Sequence, residues 1–395
     1  MKKKLAFVIP SLDAGGGEKS LVNLLNTLDS GRFDVDLILL HERGIFLNTL
    51  PDFVNVITPK GDFLIFRRSL VSSIKAAISK AKFGLAINRV LFALKNQFIK
   101  KSSRAEQFSW PNVSRAIPPF GKRYDAAIGF LEKSSIYFTV EKLEAKTKVG
   151  FIHNDYVEIG MDADFDRPYF KKLEKIVTVS NECENVLKMV FPEFKDKISV
   201  MHNIVSPAFI ERLSKSGNAD DMAENSILSI GRLHPQKGFD MAIEACEILV
   251  KKGVDLRWYV IGEGNERQKL EAEIASKKLA GRFILLGLRE NPYPYLKKAR
   301  VYAQTSRFEG KSIAIDEAKI LAKPIVVTNF STVFDQITHL KNGYVADMSA
   351  RSIAIGLETV LSDQNLRAKF SKNLSREPLG TEAEIEKLYD LIENR

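Results

Sequence analysis

The stretch SILSIGRLHPQKGFD at residues 226–240 indicates the fold class of this 395-residue chain. Its first five residues, Ser226–Ile230, are small or branched and mostly apolar, which is typical of a buried strand. Residues from Lys237 onward have the spacing of an amphipathic helix, and the turn before them carries a second cation, Arg232. A strand that turns directly into a helix is the first half of a βαβ unit. We therefore predict an α/β protein with a parallel sheet between two layers of helices.

The same alternation of strand and helix continues on both sides of this turn. Further strands are predicted at Leu5–Pro10, Val35–Leu40, Val54–Ile57, Ala126–Phe130, Lys148–Ile152, Ile176–Val179, Ile198–Met201, Leu256–Ile261, Phe283–Leu286, Val301–Gln304, Ile325–Thr328 and Tyr344–Ala346. The polar stretch LSKSGNADDMAEN at 213–225 interrupts the series and is predicted to be a linker or surface loop. Open sheets of this kind bind ligands outside the carboxyl ends of their strands. We therefore expect two Rossmann-like, doubly wound domains that face a central cleft.

The expected domain organisation has three parts. A first domain spans 1–205 and carries a basic amphipathic insertion at about 60–125, a second domain spans 206–376, and an amphipathic helix within 377–395 closes the chain.

Composition excludes several classes of protein. Hydrophobic residues make up 45 % and charged residues 27 % of the chain, which is typical of soluble globular proteins. No apolar run reaches the roughly 18 residues of a membrane span, and the short run Leu5–Pro10 is interpreted as a strand rather than a signal peptide. Cys183 and Cys246 are not in a C-x-x-C pair, and the five histidines form no H-E-x-x-H motif. We expect a reduced, cytoplasmic protein without a metal site.

The formal net charge of +10 comes from one segment. Residues 60–125 contain fourteen Lys and Arg but only Asp62, Glu106 and Asp125 as acids, so this segment carries +11 and the rest of the chain −1. Within 64–101, apolar residues recur at helical spacing in two stripes: Phe66, Leu70, Ile74 and Ile78, then Ile87, Leu91, Leu94 and Phe98. A basic amphipathic helix pair is typical of proteins that lie on anionic membranes, which is the partner we predict. The alternative is that both stripes pack on the first sheet. Nucleic acid is not expected, since the segment matches no nucleic-acid-binding module.

The turn at 231–240 has the chemistry of an anion site. Arg232 follows the strand and Lys237 is predicted to begin the helix, so both cations lie beside the N–H groups of a helix start. A guanidinium, an ammonium and a helix N-terminus together suit a diphosphate. The alternative interpretation is a solvated loop.

A second candidate site is RFEGKSIAIDE at 307–317. Glu309 and Glu317 are separated by seven residues, and the N–H groups of Gly310, Lys311 and Ser312 are predicted to be free at a helix start. Carboxylates accept hydrogen bonds from the paired hydroxyls of a sugar or ribose. A two-carboxylate hydrolase is the competing interpretation. It is disfavoured because Arg307, Lys311 and Arg232 indicate an anionic ligand.

Two further features lie near the N-terminus and in the middle of the first domain. In LDAGGGE at 12–18, the backbone of Gly16 and Gly17 is expected to approach a ligand. The motif is not a complete dinucleotide fingerprint, because Ser20 stands where a third glycine is expected. His153 follows the strand Lys148–Ile152 and is either a functional residue or a hydrogen-bonded strand-end histidine.

Taken in order, these motifs resemble the family 4 glycosyltransferases of bacterial polysaccharide and glycan assembly, which have the GT-B fold. The resemblance covers nearly the whole chain and includes Lys323–Thr328 after the second glutamate. It implies that Arg232 and Lys237 bind the diphosphate of a nucleotide sugar, that Glu309 contacts the transferred sugar and that Glu317 binds the ribose. His153 is implied to lie against the reacting sugar, and Gly16, Gly17, Gly310, Lys311 and Ser312 to bind substrate.

The resemblance also implies a reaction and a location. A retaining, metal-independent transferase moves a hexose or N-acetylhexosamine, most often from a UDP-sugar, to a glycan or lipid-linked glycan acceptor. Such an enzyme is expected on the inner face of the cell membrane. Two alternatives remain: a nucleotide-sugar epimerase on the same fold, and a catalytically silent partner that binds nucleotide sugar or membrane. A dehydrogenase is disfavoured by the incomplete glycine fingerprint.

Overall fold

The computed structural model describes residues 2–99, 101–223 and 226–393. By contacts, the chain divides into two compact units. The first comprises the chain up to Met201, without 14–16, together with the residues from Ile385 onward. The second comprises 14–16 and His202–Glu384.

The first unit contains a seven-stranded parallel sheet in the order β3-β2-β1-β4-β5-β6-β7. Its strands are β1 (Lys3–Ile9), β2 (Phe33–Leu39), β3 (Val54–Ile57), β4 (Arg123–Gly129), β5 (Glu144–Ile152), β6 (Lys175–Thr178) and β7 (Ile198–Val200). Its helices up to β7 are α1 (Gly16–Thr27), α2 (Asp62–Phe66), α3 (Leu70–Ser79), α4 (Phe83–Phe98), α5 (Ser102–Ser114), α6 (Ser134–Lys142), α7 (Ala163–Phe170) and α8 (Asn181–Val190).

The second unit contains a six-stranded parallel sheet in the order β10-β9-β8-β11-β12-β13. Its strands are β8 (Ser226–Ile230), β9 (Arg257–Ile261), β10 (Phe283–Gly287), β11 (Val301–Gln304), β12 (Ile325–Thr328) and β13 (Tyr344–Ala346). Its helices are α9 (Pro207–Ser214), α10 (Phe239–Lys251), α11 (Arg267–Ser276), α12 (Tyr293–Lys298), α13 (Ile313–Ile320), α14 (Ala350–Ser362) and α15 (Gln364–Leu374).

Each sheet has the doubly wound strand order, and the predicted α/β class is confirmed. In the first sheet the order reverses between β1 and β4, and in the second between β8 and β11. Ligands of such sheets bind where the chain leaves the carboxyl ends of these two strands. Those positions are the Gly16–Gly17 turn and residues 130–133 in the first unit, and residues 231–237 and 305–310 in the second. The topology therefore places most of the predicted site residues at the two switch points.

Both faces of the second sheet are buried, as parallel sheets require. In β12, Val326 packs with α10 and α14 residues on one face, while Ile325 and Val327 join a separate apolar cluster on the other. The predicted surface loop at 213–225 is partly wrong, because α9 extends to Ser214 and because Ala219 and Met222 are buried in that second cluster. Two well-spaced apolar residues in a polar stretch are enough to anchor it; Glu224 and Asn225 lie outside the described residues.

The closing helix, α16 (Ile385–Glu393), packs on the first unit. The ring of Tyr389 stacks on Phe33 with centroids 5.3 Å apart, and its hydroxyl accepts a hydrogen bond from the backbone N–H of Asp29 at 3.0 Å. Arg32 forms an ion pair with Glu393. Aromatic stacking, burial and an ion pair thus fix the C-terminal helix beside β2.

The basic insertion forms the four helices α2–α5, and α4 is inverted relative to an ordinary surface helix. Its polar side chains face inward: Asn88 exchanges hydrogen bonds with Asn112 of α5, and Lys95 Nζ donates to the Phe108 carbonyl at 2.8 Å. Most of its large apolar side chains face outward, and all of the following are more than a third exposed: Phe83, Ile87, Val90, Leu91, Leu94 and Phe98. At 100° per residue these six positions lie on one side of the helix. The second predicted stripe therefore does not pack on the first sheet.

Candidate active site

The turn after β8 places Lys237 differently from the prediction. Lys237 ends a short 3-10 turn, Pro235–Lys237, and Gly238 adopts a left-handed conformation (φ 63°) before α10 begins at Phe239. A Cβ atom on Gly238 would lie 2.1 Å from the Thr305 carbonyl oxygen, so only glycine fits there. The predicted helix start at Lys237 is therefore wrong by two residues, because Gly238 interrupts the helix.

This geometry brings the two predicted cations to the same strand end. The Lys237 side chain lies across Gly231, where an added Cβ would meet Lys237 carbons at 3.2–3.4 Å. Gly231 directly precedes Arg232, which is exposed. The segment that follows β9 supports this turn, since the Leu233 N–H donates to the Glu263 carbonyl at 2.9 Å. Both Arg232 and Lys237 therefore belong to the turn that follows the carboxyl end of β8.

Lys237 is paired with the first glutamate of the second motif. Its Nζ lies 2.6 Å from Oε1 of Glu309, and the two side chains are 20 % and 8 % exposed. The same oxygen accepts hydrogen bonds from Gln304 Nε2 at 2.8 Å and from Ser306 Oγ at 2.6 Å. Three donors converge on one carboxylate oxygen, which fixes the Glu309 side chain at the carboxyl end of β11.

Gln304 and Ser306 were not predicted as site residues. Their signal in the sequence is the polar run Gln304-Thr305-Ser306 at the end of an otherwise apolar strand. Gln304 also accepts a hydrogen bond from Ser312 Oγ at 2.9 Å, so it connects Glu309 to the start of α13. Both side chains are buried and hold the site rather than form its surface.

The predicted free N–H groups at the start of α13 require a correction. Ser312 is buried, and its N–H donates to Gln336 Oε1 at 2.9 Å. Gln336 also donates from Nε2 to the Ser312 carbonyl at 2.8 Å and to Asp316 Oδ1 at 2.7 Å. The amide of Gln336 therefore occupies a group that had been assigned to a ligand. Lys311 is only partly buried, and Gly310 is buried in the same turn.

Arg307 is also not available to a ligand in the way that was predicted. Its guanidinium forms two hydrogen bonds with Asp240, at 2.9 and 2.5 Å, and a third with the Pro235 carbonyl at 2.6 Å. Burial opposes ionisation of Asp240, but this pairing outweighs it and lowers the pKa of the carboxyl. Arg307 thus tethers the β11–α13 turn to the β8–α10 turn. It therefore no longer indicates an anionic ligand, and only Lys311 and Arg232 still disfavour a hydrolase on that ground.

Glu317, the predicted ribose ligand, lies one turn into α13 and is 1 % exposed. Its Oε1 accepts a hydrogen bond from the Tyr293 hydroxyl at 2.9 Å. The Tyr293 hydroxyl therefore helps to hold the buried Glu317 carboxylate in place.

Gly16 and Gly17 form the first turn of α1, where backbone N–H groups have no acceptor within the helix. Gly16 is exposed and a Cβ there would meet nothing within 4 Å. Gly17 packs against Leu131, whose Cδ2 would lie 2.5 Å from an added Cβ. The glycine turn thus touches the segment that follows β4.

His153 follows β5 and is buried between two aromatic rings, with centroids 4.8 Å from Phe130 and 5.9 Å from Phe151. Its Nε2 is buried and has no hydrogen-bond partner among the described residues. Burial lowers the pKa of His153 to about 4, against the opposing effect of Glu132. The imidazole is therefore neutral at physiological pH.

Glu132, which was not predicted, fixes this histidine. Its carboxylate accepts hydrogen bonds from the His153 N–H at 3.1 Å and from Asn154 Nδ2 at 2.7 Å. Burial alone would raise the pKa of Glu132, but the charges of Lys133 and His153 and backbone donors lower it, so the carboxylate is ionised. Lys133, the next residue, has φ 70° and ψ −123°, which costs a non-glycine residue roughly 1–3 kcal/mol.

Comparison with known proteins agrees with this geometry. Residues 211–376 match the family model for glycosyl transferases group 1. The poly(ribitol-phosphate) alpha-N-acetylglucosaminyltransferase of Staphylococcus aureus is 27 % identical over 253 residues, which are 62 % of this chain and 50 % of the relative. The N-acetylgalactosamine-N,N'-diacetylbacillosaminyl-diphospho-undecaprenol 4-alpha-N-acetylgalactosaminyltransferase of Campylobacter jejuni is 28 % identical over 177 residues, 44 % of this chain and 47 % of the relative. The alignments thus span about half of each relative.

The fold is similar to that of S. aureus TarM, crystallised in complex with fondaparinux, alpha-GlcNAc-glycerol and UDP. The TM-score is 0.69 over 99 % of each chain, at 14 % identity. Two doubly wound sheets with their site residues at the switch points define a GT-B protein. Residues 211–376 carry a domain that belongs to the group 1 glycosyltransferases, and the resemblance predicted from the motifs is confirmed.

Proposed function

We propose that the protein is a retaining glycosyltransferase that moves a hexose or N-acetylhexosamine from a UDP-sugar to a hydroxyl of a glycan or lipid-linked glycan. The observation that carries this proposal is the arrangement at the switch point of the second sheet. There Lys237 contacts Glu309 at 2.6 Å and lies across Gly231, the residue that precedes exposed Arg232.

The two cations suit the leaving group of such a reaction. Negative charge grows on the diphosphate as its bond to the sugar breaks, and preorganised cations stabilise that charge. Arg232 offers a forked donor and Lys237 a compact one, which together can hold two adjacent phosphates. These side chains supply the charge compensation, so the proposed reaction does not depend on a metal ion.

Glu309 suits the sugar side of the same reaction. Its Oε1 is occupied by three donors, whereas no partner is recorded for Oε2 among the described residues. Oε2 can therefore accept hydrogen bonds from sugar hydroxyls, while Oε1 keeps the Lys237 ammonium in position. The pair thus orients the ammonium for the diphosphate while presenting an acceptor to the sugar.

His153 suits recognition of a sugar hydroxyl. Because it is neutral and its buried Nε2 has no partner within the described part of the chain, a hydroxyl group on a ligand would satisfy that nitrogen. We assign it this role rather than that of an acid. The Gly16–Gly17 backbone, Gly310, Lys311, Ser312 and Glu317 remain proposed substrate-binding residues.

The names of the relatives support the proposed substrate class. One transfers N-acetylglucosamine to a poly(ribitol-phosphate), another acts on a diphospho-undecaprenol-linked sugar, and TarM was crystallised with UDP. These favour a UDP-sugar donor, an N-acetylhexosamine and a polymeric or lipid-linked acceptor.

The experiment is to incubate the purified protein with a panel of nucleotide sugars, with and without undecaprenyl-diphosphate-linked acceptors, in EDTA. Release of UDP that depends on acceptor, with an α-linked product by NMR, supports the proposal. Conversion of the donor to its epimer without UDP release would favour the epimerase, and no turnover of any donor would favour the silent partner.

We further propose that the outward face of α4 docks on an anionic membrane, at the inner surface of the cell membrane. The support is the inverted helix: its polar residues are used internally, and exposed Phe83, Ile87 and Phe98 (62 %, 63 % and 74 %) lie on the outside. Exposed apolar side chains in a segment of net charge +11 complement anionic lipid. No helix among the described residues has the length and apolarity to cross a membrane.

Substituting Ile87 and Leu94 together by serine is expected to lower binding to phosphatidylglycerol vesicles by about tenfold, because two inserted apolar side chains are lost. Flotation at low and high salt measures this, and neutral phosphatidylcholine vesicles are expected to bind weakly. The matched control is Ile355→Ser, an exposed isoleucine of the second unit (44 %), which should bind normally. Failure of the native protein to bind anionic vesicles at low salt would remove this proposal.

A further inference from the structure

We propose that Glu106, on α5 of the basic insertion, is a positioning residue that holds residues 130–133 so that Glu132 can fix His153. The inference rests on the proposed function for its kinetic readout only. Its structural readout is independent of any activity.

The segment after β4 is under conformational strain at one residue. Lys133 has φ 70° and ψ −123°, a region that glycine adopts readily and that side chains disfavour. The backbone around Lys133 has little room to relax, because α6 packs closely on the end of β4. A Cβ atom on Gly129 would lie 2.8 Å from the Ile136 Cα. Such a conformation persists only where surrounding contacts impose it.

Glu106 makes two of those contacts. Its Oε2 lies 3.0 Å from Lys133 Nζ, and its Oε1 accepts a hydrogen bond from Ser134 Oγ at 2.8 Å. The Glu106 carboxylate thus contacts both the strained residue, Lys133, and the first residue of α6, Ser134. Glu106 is itself fixed, because α5 is hydrogen bonded to α4 through Asn88, Lys95 and Asn96.

The residues between β4 and Lys133 reach the other parts of the candidate site in the first unit. Phe130 flanks the His153 ring, Leu131 contacts Gly17, and Glu132 accepts a hydrogen bond from the His153 N–H. The direction of the Glu132 side chain depends on the backbone of the residue that follows it. Glu106 therefore acts on His153 through Lys133 and Glu132 without touching it.

Without Glu106, Lys133 is expected to relax to negative φ and to carry Glu132 away from the His153 N–H. The histidine then loses its anchor and becomes more accessible to water. Lys133 is a charged group that acts on Glu132, and Glu132 is the charged group that acts on His153. Burial lowers the pKa of His153 to about 4. Moving the Glu132 charge away would lower the pKa of His153, but burial has the larger influence on it, so greater exposure should give a net rise toward the ordinary value of about 6.5.

The test compares Glu106→Ala with the double variant Glu106→Ala/Lys133→Gly. Glycine adopts the native backbone without strain, so Glu106 should no longer be needed when it is present. Histidine-labelled protein is titrated by NMR, with His153 assigned from a His153→Gln spectrum. We expect the His153 pKa to rise in Glu106→Ala and to return toward the native value in the double variant. Turnover should fall about tenfold and recover in parallel, with a smaller change in KM.

The matched control is Glu184→Ala on α8, which removes an ion pair of the same length, 3.0 Å to Lys188. It should change neither the pKa nor turnover. If Glu106→Ala does not fold, Glu106→Gln, which removes the charge but keeps an acceptor for Ser134, is compared with Glu106→Gln/Lys133→Gly and should show a smaller rise of the same sign. An unchanged His153 pKa in a folded Glu106→Ala or, where that variant does not fold, in Glu106→Gln, or a rise that glycine at 133 does not reverse, would overturn the inference. A protein without transferase activity that shows the expected pKa changes would refute the proposed function alone.

Discussion

Replacing Lys237 with alanine is expected to reduce sugar transfer by about a hundredfold or more, because one preorganised charge contact to the developing anion is typically worth roughly 3–4 kcal/mol. The Lys237 side chain lies across Gly231, at the end of β8. Its loss removes a cation from the leaving diphosphate but leaves Glu309 with two neutral donors, Gln304 and Ser306. The free energy of unfolding should therefore change little.

Initial rates of UDP release and chemical denaturation measure these two quantities. The matched control is Lys277→Ala, since Lys277 pairs with Glu247 at 2.7 Å and is 24 % exposed, close to the values for Lys237. It lies in the same unit, away from the end of β8, and transfer should be normal. Near-native turnover of Lys237→Ala would remove the proposed clamp.

Replacing Glu309 with alanine is expected to have a comparable effect on transfer and a much larger effect on stability. The substitution leaves Lys237, Gln304 and Ser306 without their common acceptor. Removing one partner of a fully buried ion pair costs about 3–5 kcal/mol, and because Lys237 keeps some access to water we expect roughly 2–3 kcal/mol here. The asymmetry follows from the three donors that meet on one oxygen of Glu309.

The double variant Lys237→Ala/Glu309→Ala separates the two effects. It removes the uncompensated ammonium, so its free energy of unfolding should be higher than that of Glu309→Ala alone. Denaturation midpoints of the native protein and the three variants measure this. If Glu309→Ala proved no less stable than Lys237→Ala, the buried network around Glu309 would not have the role assigned to it.

The fold could be predicted because it depends on patterns that are local in sequence. Strands such as Val301–Gln304 and Ile325–Thr328 have their predicted bounds, since short branched runs between helices are buried on both faces. The position of Lys237 could not be predicted as well. It depends on Gly238, whose left-handed conformation is imposed by the Thr305 carbonyl of a distant turn.

The candidate site was predicted where residues follow strands and was missed where partners come from elsewhere in the chain. Gln336 accepts a hydrogen bond from the Ser312 N–H although the two residues are 24 positions apart in the sequence. Asp240 likewise accepts a hydrogen bond from Arg307 across 67 positions. Neither pairing has a signal in the sequence. The same limit applied to α4, where periodicity located the apolar stripe but only the contacts with α5 showed which side faces outward.

Calorimetric binding of UDP and UMP to the native protein and to Lys237→Ala tests the central claim most directly. If Lys237 and Arg232 hold the diphosphate, the native protein should bind UDP at least about tenfold more tightly than UMP, and the substitution should remove most of that preference. Equal affinities for UDP and UMP in the native protein, or a preference that survives in Lys237→Ala, would contradict the account.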